Sequence, residues 1–267
     1  MKIDVKELSA KKAVVEIDDT NPYFVNSLRR IMIADLPKLA IDDVIIYDNT
    51  SALFDEIIAH RLGLIPIPTD LSLLTFRDEC ICKGKGCPNC TVRYTLSKEG
   101  KEGKTTVYSS DLQPAEKSWT IKEGNIPIVE LYNDQRLILE VEAVLGYGKD
   151  HAKWQSIQAP GYRFAPYIEI DKKRMKEIEE FIKELPDGLV TLKGNNIEIN
   201  NDDKIPVLES YIEKEKVDFI AVKRDPSKII FSFETDSSLD AEESLKKSVE
   251  ILKEKYNEFE KLIKKLK

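Results

Sequence analysis

The chain has 267 residues, 42% of them hydrophobic and 33% charged, with a net charge of −7 from 41 basic and 48 acidic side chains. That balance belongs to a folded chain with room for two or three domains, not to a disordered one. It argues against a major phosphate-binding surface, which needs a local excess of Lys and Arg, and no apolar run approaches the ~18 residues of a membrane-spanning helix.

Met1-Lys2-Ile3-Asp4-Val5 lacks the charged-then-apolar layout of a signal peptide, so a cytoplasmic location is expected. Lys2–Leu8 and Lys12–Ile17 alternate in part and are predicted as strands broken by Ser9-Ala10. A helix follows from Asn21, a natural N-cap, with Pro22 at the first helical position and Pro37 as terminator. Phe24, Leu28, Ile31 and Leu36 recur at helical spacing, with Val25 and Met32 beside them and Arg29 and Arg30 on the flank. Ala40–Tyr47 reads as a strand. Ser51–Leu62 reads as a second helix that buries Leu53, Phe54, Ile57, Ile58 and Leu62, with Gly63 as its C′ residue and His60 and Arg61 at the negative end of its dipole.

Thr91–Leu96, Thr105–Tyr108, Ile126–Leu131 and Leu137–Leu145 are predicted strands separated by Gly, Pro, Asn and Asp. After Pro160 the pattern changes. Lys172–Leu185 is a charged helix ended by Pro186-Asp187-Gly188. Leu189–Leu192 and Asn196–Ile199 form a hairpin around Lys193-Gly194-Asn195. Ile205–Lys214 is helical and Val217–Val222 a strand. The chain closes with a strand, Lys228–Glu234, and a long helix from about Asp240. On that helix Leu245, Val249, Leu252, Tyr256, Phe259, Ile263 and Leu266 form three heptads of an a/d seam, which needs a partner surface either in this chain or in a second subunit.

All four cysteines fall in Cys80-Ile81-Cys82-Lys83-Gly84-Lys85-Gly86-Cys87-Pro88-Asn89-Cys90. Four thiolates at this spacing can close a tetrahedral zinc site, and the glycines let the backbone fold back between the pairs. Two disulfides, an iron–sulfur cluster or unligated thiols are the alternatives. Zinc suits so tight a span best, and a closed site of four cysteines has a structural role. There is no phosphate loop, no Gly-x-Ser-x-Gly, no His-Glu-x-x-His and no Asp-rich triplet for a magnesium pair. His60 and His151, taken alone, are caps or core residues more often than bases. Trp154, after Gly146-Tyr147-Gly148, is either an interface anchor or the cap of a strand core.

Three ordered blocks carry a resemblance. They are Asn26-Ser27-Leu28-Arg29-Arg30 with Leu36-Pro37 and Ile41, then Glu56-Ile57-Ile58-Ala59-His60-Arg61-Leu62-Gly63-Leu64-Ile65-Pro66, then Gly148-Lys149-Asp150-His151-Ala152-Lys153-Trp154. Together they resemble the assembly motif of RNA polymerase subunits of the bacterial alpha type. The nearest branch is the archaeal D type, itself similar to the third-largest subunit of eukaryotic RNA polymerase II.

The resemblance implies an α+β fold. A split alpha-subunit-type dimerisation domain (1–40 plus 225–267) would enclose an inserted mostly-β domain (41–165) bearing the cysteine loop and a small ferredoxin-like α+β unit (166–224). It implies a non-catalytic assembly subunit that pairs with a smaller alpha-like subunit and docks the large catalytic subunits for DNA-templated transcription. DNA would be met only through the complex, and a membrane not at all. The resemblance also implies that Leu28 and Met32 belong to the dimer core with Leu245, Val249, Leu252, Tyr256, Phe259 and Ile263. Arg29, Arg30, His60, Arg61, His151, Lys153 and Trp154 become contact residues. Zinc at Cys80, Cys82, Cys87 and Cys90 matches a zinc-binding loop of the eukaryotic relative. Some archaeal members hold iron–sulfur clusters in the ferredoxin-like domain; 166–224 contains no cysteine, so no cluster is expected there. The competing reading is a free-standing, zinc-stabilised regulatory protein that homodimerises through its last helix.

Overall fold

The computed structural model describes residues 1–186, 188–194, 196–199 and 204–266; Asp187 and Asn195, two of the expected turn residues, lie outside them. The chain opens with β1 (Lys2–Leu8), β2 (Lys12–Asp18) and α1 (Pro22–Ala34). Ser9 makes the first turn by accepting the Lys12 N–H on its hydroxyl at 3.0 Å. Asn21 caps α1 as its side chain predicts, its Oδ1 accepting the Phe24 N–H at 3.0 Å. The inward face of α1 is Val25, Leu28, Ile31 and Met32, and Phe24 is only half-buried.

Two compact units emerge. One comprises Val5–Val14, Val25–Gly161 and Ser232–Lys267. It contains β3 (Pro37–Asn49), α2 (Asp55–Gly63), β4 (Val92–Glu99), β5 (Thr105–Tyr108), β6 (Gln113–Pro114), β7 (Pro127–Leu131) and β8 (Arg136–Tyr147). Strands β3, β8, β4 and β6 form an antiparallel sheet in that order, and β5 pairs with β7. Leu39 and Ile41 of β3, Ile58 and Leu62 of α2, Tyr94 and Leu96 of β4, and Leu139 and Val141 of β8 are packed into its core. Tyr94 satisfies its buried hydroxyl on the Trp119 carbonyl at 2.7 Å, and burial raises its pKa.

The second predicted helix is shorter than the pattern implied. Asn49 accepts the Ser51 N–H and hydroxyl and donates to the Leu53 carbonyl, which holds 51–53 in a turn and delays helix entry to Asp55. Phe54 is therefore 79% exposed and Ile57 44%, where the sequence pattern placed both inward. Gly63 is the last helical residue, not a left-handed cap.

A buried ion pair ties distant parts of this unit. Lys38 Nζ lies 2.5 Å from Asp236, with side-chain exposures of 3% and 8%, and also donates to the Lys153 carbonyl. The other carboxylate oxygen of Asp236 accepts the Ser238 N–H and hydroxyl. Removing either partner would strand a charge inside the fold.

The other unit comprises Met1–Asp4, Val15–Phe24 and Tyr162–Phe231. After β8 the chain forms β9 (Ile157–Ile170), α3 (Met175–Glu184), β10 (Val190–Lys193), β11 (Asn196–Ile199), α4 (Ile205–Lys214), β12 (Ile220–Thr235) and α5 (Ala241–Lys265), of which α5, the start of β9 and the end of β12 belong to the first unit. Strands β10 and β11 make the expected hairpin. Ile178 and Phe181 of α3, Leu208 of α4 and Ile220 of β12 form a small core. Arg174 braces it from outside, paired with Glu177 and Asp218 and stacked 4.6 Å over the Phe219 ring.

A second sheet runs in the order β1-β2-β12-β9. Its β9 escaped the sequence reading because Pro160 and Pro166 interrupt the pattern. The two strands expected at 217–222 and 228–234 are one, β12, which passes through Pro226. There Asp225 takes the Ser227 N–H, and the Ser227 carbonyl accepts from Thr20.

Candidate docking surface and metal centre

The three sequence blocks converge around the end of α1 and the start of β3. The Lys149 N–H donates to the Ala34 carbonyl at 3.0 Å. A Cβ on Gly148 would sit 2.0 Å from the Ile33 carbonyl oxygen, and one on Gly146 would sit 2.3 Å from the Trp154 ring, so only glycine permits these approaches. Asp35, just beyond α1, pairs with Lys149 at 3.7 Å and with Lys255 of α5 at 2.7 Å.

Trp154 lies half-buried over β8, its indole N–H donating to the Val144 carbonyl at 3.1 Å. Of the two roles open to it in the sequence, it performs that of a strand cap. Lys153 Nζ stands 4.4 Å above the Trp154 ring and 2.5 Å from Asp42. Asp42 is the extra residue of a bulge in β3, between Ile41 and Asp43. The Ile41-Asp42-Asp43 doublet breaks strand alternation, the one signal by which this residue was discoverable.

Both histidines of the chain line one hollow of about 240 Å³, together with Ile41, Asp42, Gly63, Leu64 and Lys153. His60 and His151 are exposed. His151 Nδ1 accepts the Lys153 N–H at 3.0 Å, which leaves Nε2 to carry the proton of the neutral ring. Arg61 is spent locally, donating to the Ile128 carbonyl at 2.7 Å. The two arginines of α1 also separate: Arg29 is held twice by Asn26 Oδ1, at 3.0 and 3.1 Å, and Arg30 is exposed. Leu28 and Met32 are buried within the chain itself and hold α1 down, so neither is a surface residue of this fold.

On α5 the seam divides. Ala241, Ser244, Ser248 and Leu252 are buried and Leu245 is half-buried, whereas Val249, Tyr256, Phe259, Ile263 and Leu266 are exposed. Leu252, Phe259 and Leu266 fall on one side of the helix, so the face covered in its first half continues uncovered in its second.

The four cysteine sulfurs lie within 4.8 Å of one another. Cys80 and Cys87 stand 3.5 Å apart, Cys82 and Cys90 3.6 Å, and Cys87 and Cys90 3.9 Å. Zinc–sulfur bonds of ~2.3 Å in a tetrahedron put sulfurs ~3.8 Å apart, so the donor set fits one ion. No disulfide joins these cysteines, whose separations far exceed the ~2.05 Å of an S–S bond. Gly84 and Gly86 take φ near +80°, which folds the loop back as the sequence implied. The Cys87 carbonyl accepts the N–H groups of Cys90 and Thr91, closing the Cys87–Cys90 knuckle. Burial raises the Cys82 thiol, but hydrogen bonds from Cys90, Cys80 and the Gly86 N–H outweigh it and bring it down to about 6. Cys87 accepts an N–H bond from Asn89 that favours its thiolate, yet its sulfur neighbours and burial push it up to about 11. A divalent cation is what lets such a crowded set ionise together.

Among the described residues no helix is long and apolar enough to cross a membrane. Residues 14–256 match the family model described as the RNA polymerase Rpb3/Rpb11 dimerisation domain. The chain is 36% identical over 259 residues to DNA-directed RNA polymerase subunit Rpo3 of Methanosphaera stadtmanae, covering 96% of each chain. It is 39% identical over 258 residues to the Rpo3 of Thermoplasma volcanium, covering 92% of this chain and 93% of that one. The Rpo3 of Methanosarcina mazei is 38% identical over 261 residues, with 97% and 96% covered.

Proposed function

Because this chain belongs to the RNA polymerase Rpb3/Rpb11 dimerisation family, we propose that it is the D-type assembly subunit of an archaeal DNA-directed RNA polymerase. It supplies no catalytic group. It pairs with a smaller alpha-like subunit in the cytoplasm, and the pair forms the platform that docks the large catalytic subunits, so that DNA is met only through the complex. Residues 1–40 plus 225–267 act as the dimerisation domain, 41–165 as the insertion with the cysteine loop, and 166–224 as a third unit without a cluster.

The uncovered second half of α5 carries this reading. Tyr256, Phe259, Ile263 and Leu266 form an apolar stripe too large to leave in water on a lone subunit. Val249 extends it, and Leu252 joins it to the chain's own core. Arg30, His60, His151 and Lys153 form the polar side of the large-subunit contact, with Trp154 and Arg29 as their supports and Arg61 fixing α2 beneath them. The family match does not favour the free-standing homodimer.

Co-expression with the smaller alpha-like subunit should convert a self-associating chain into a soluble 1:1 complex. A monodisperse homodimer indifferent to that partner would overturn the proposal. The residues at the cysteine loop fit zinc, which would be held by Cys80, Cys82, Cys87 and Cys90 in a closed structural site. Elemental analysis should find about one zinc per chain, and iron, or no metal in freshly reduced protein, would refute that part.

A further inference from the structure

We infer that the hollow lined by His60 and His151 receives a carboxylate side chain of the docking partner, and that Phe54, Ile57 and Leu64 take the apolar residues flanking it. The inference rests on the reading of this face as the large-subunit contact and names the chemistry of what lies there. The hollow is rich in donors. His151 uses Nδ1 internally, so its neutral ring presents an N–H outward from Nε2. His60 is exposed on the same lining.

Asp42 is the sole carboxylate in that lining, and Lys153 engages it at 2.5 Å. The position therefore lacks a free anionic acceptor, and a carboxylate from outside would complete it with charge-assisted bonds. Beside it, the entry, first turn and exit of α2 each leave an apolar side chain in solvent. Phe54, Ile57 and Leu64 are 79%, 44% and 50% exposed; Phe54 precedes α2 as its N-cap, Ile57 lies in its first turn and Leu64 follows it as its C-cap. Leu64 lines the hollow itself, so exposed apolar surface reaches its rim. An acidic side chain set among aliphatic ones matches it, whereas a basic partner segment would set its own donors against the Nε2–H of His151 and the Lys153 ammonium.

The test uses the heterodimer with the smaller subunit, titrated against the isolated large catalytic subunits. His151→Glu should weaken binding at least about tenfold, and His151→Gln, which keeps a donor near Nε2, should stay within about threefold. Ile57→Ser should cost about fivefold. Retained pairing with the smaller subunit shows that each variant is folded; if His151→Glu fails this check, Ile57→Ser decides. Tight wild-type binding that neither His151→Glu nor Ile57→Ser weakens beyond twofold would overturn the inference and leave the docking reading standing. Failure of the wild-type heterodimer to bind any large subunit would remove both.

Discussion

The two halves of α5 share one sequence pattern and meet opposite fates. From Ala241 to Leu252 the inward stripe is small, with Ser244 and Ser248 fully buried and Leu252 8% exposed, so the helix lies close against its own unit. From Tyr256 onward the same face is wide and aromatic, and Phe259 is 62% exposed. Side-chain size separates a stripe that closes on its own chain from one that waits for another. Lys255, paired with Asp35, stands where one becomes the other.

This contrast can be broken at three points. Leu252→Asp should have the largest effect, since it buries an unpaired charge in this chain's own packing. A loss of about 3–5 kcal/mol is expected in denaturant unfolding of the subunit at a dilution where it is monomeric. A variant that unfolds like the parent would show that the first half is not closed. Phe259→Asp should leave that unfolding curve within about 0.5 kcal/mol, because the site is in water, while capture of the smaller alpha-like subunit in a pull-down is lost. Undiminished capture would mean that the second half faces something else. Lys255→Ala should be the mildest. The pair it removes is partly exposed, and a shift below about 1 kcal/mol in the same measurement is expected. A larger loss would make the Asp35 contact a fixed hinge point of the helix.

Much of this was legible in the residues. Asn21 and Pro22 announced α1, the cysteine spacing announced a four-sulfur cluster, and the spacing of leucines and aromatics announced α5. Periodicity could not tell which half of the seam the chain would cover for itself, because the covered stripe is built on Ser244 and Ser248, which a pattern of apolar heptads passes over. Local chemistry also overruled pattern. The Asn49 turn carried Phe54 and Ile57 outward, and side-chain acceptors let β12 continue through a proline that would normally interrupt pairing. The hollow was invisible because its parts come from α2, a bulge in β3 and a turn after β8. No local window contains His60, Asp42 and His151 together.

The pairing of Lys38 with Asp236 has a consequence for how the protein is made. The two are 198 residues apart, and at translation rates of ~5–20 residues per second a nascent chain holds Lys38 for roughly 10–40 s before its counter-ion leaves the ribosome. During that interval the β3–β8 sheet can assemble, but the ammonium that will be buried at its edge has no carboxylate to meet. The lysine keeps the edge wet, and premature closure is disfavoured until the last strand and helix arrive. A chain ending before Asp236 would have to bury the Lys38 ammonium without its carboxylate, and is therefore expected to be less stable than the full chain.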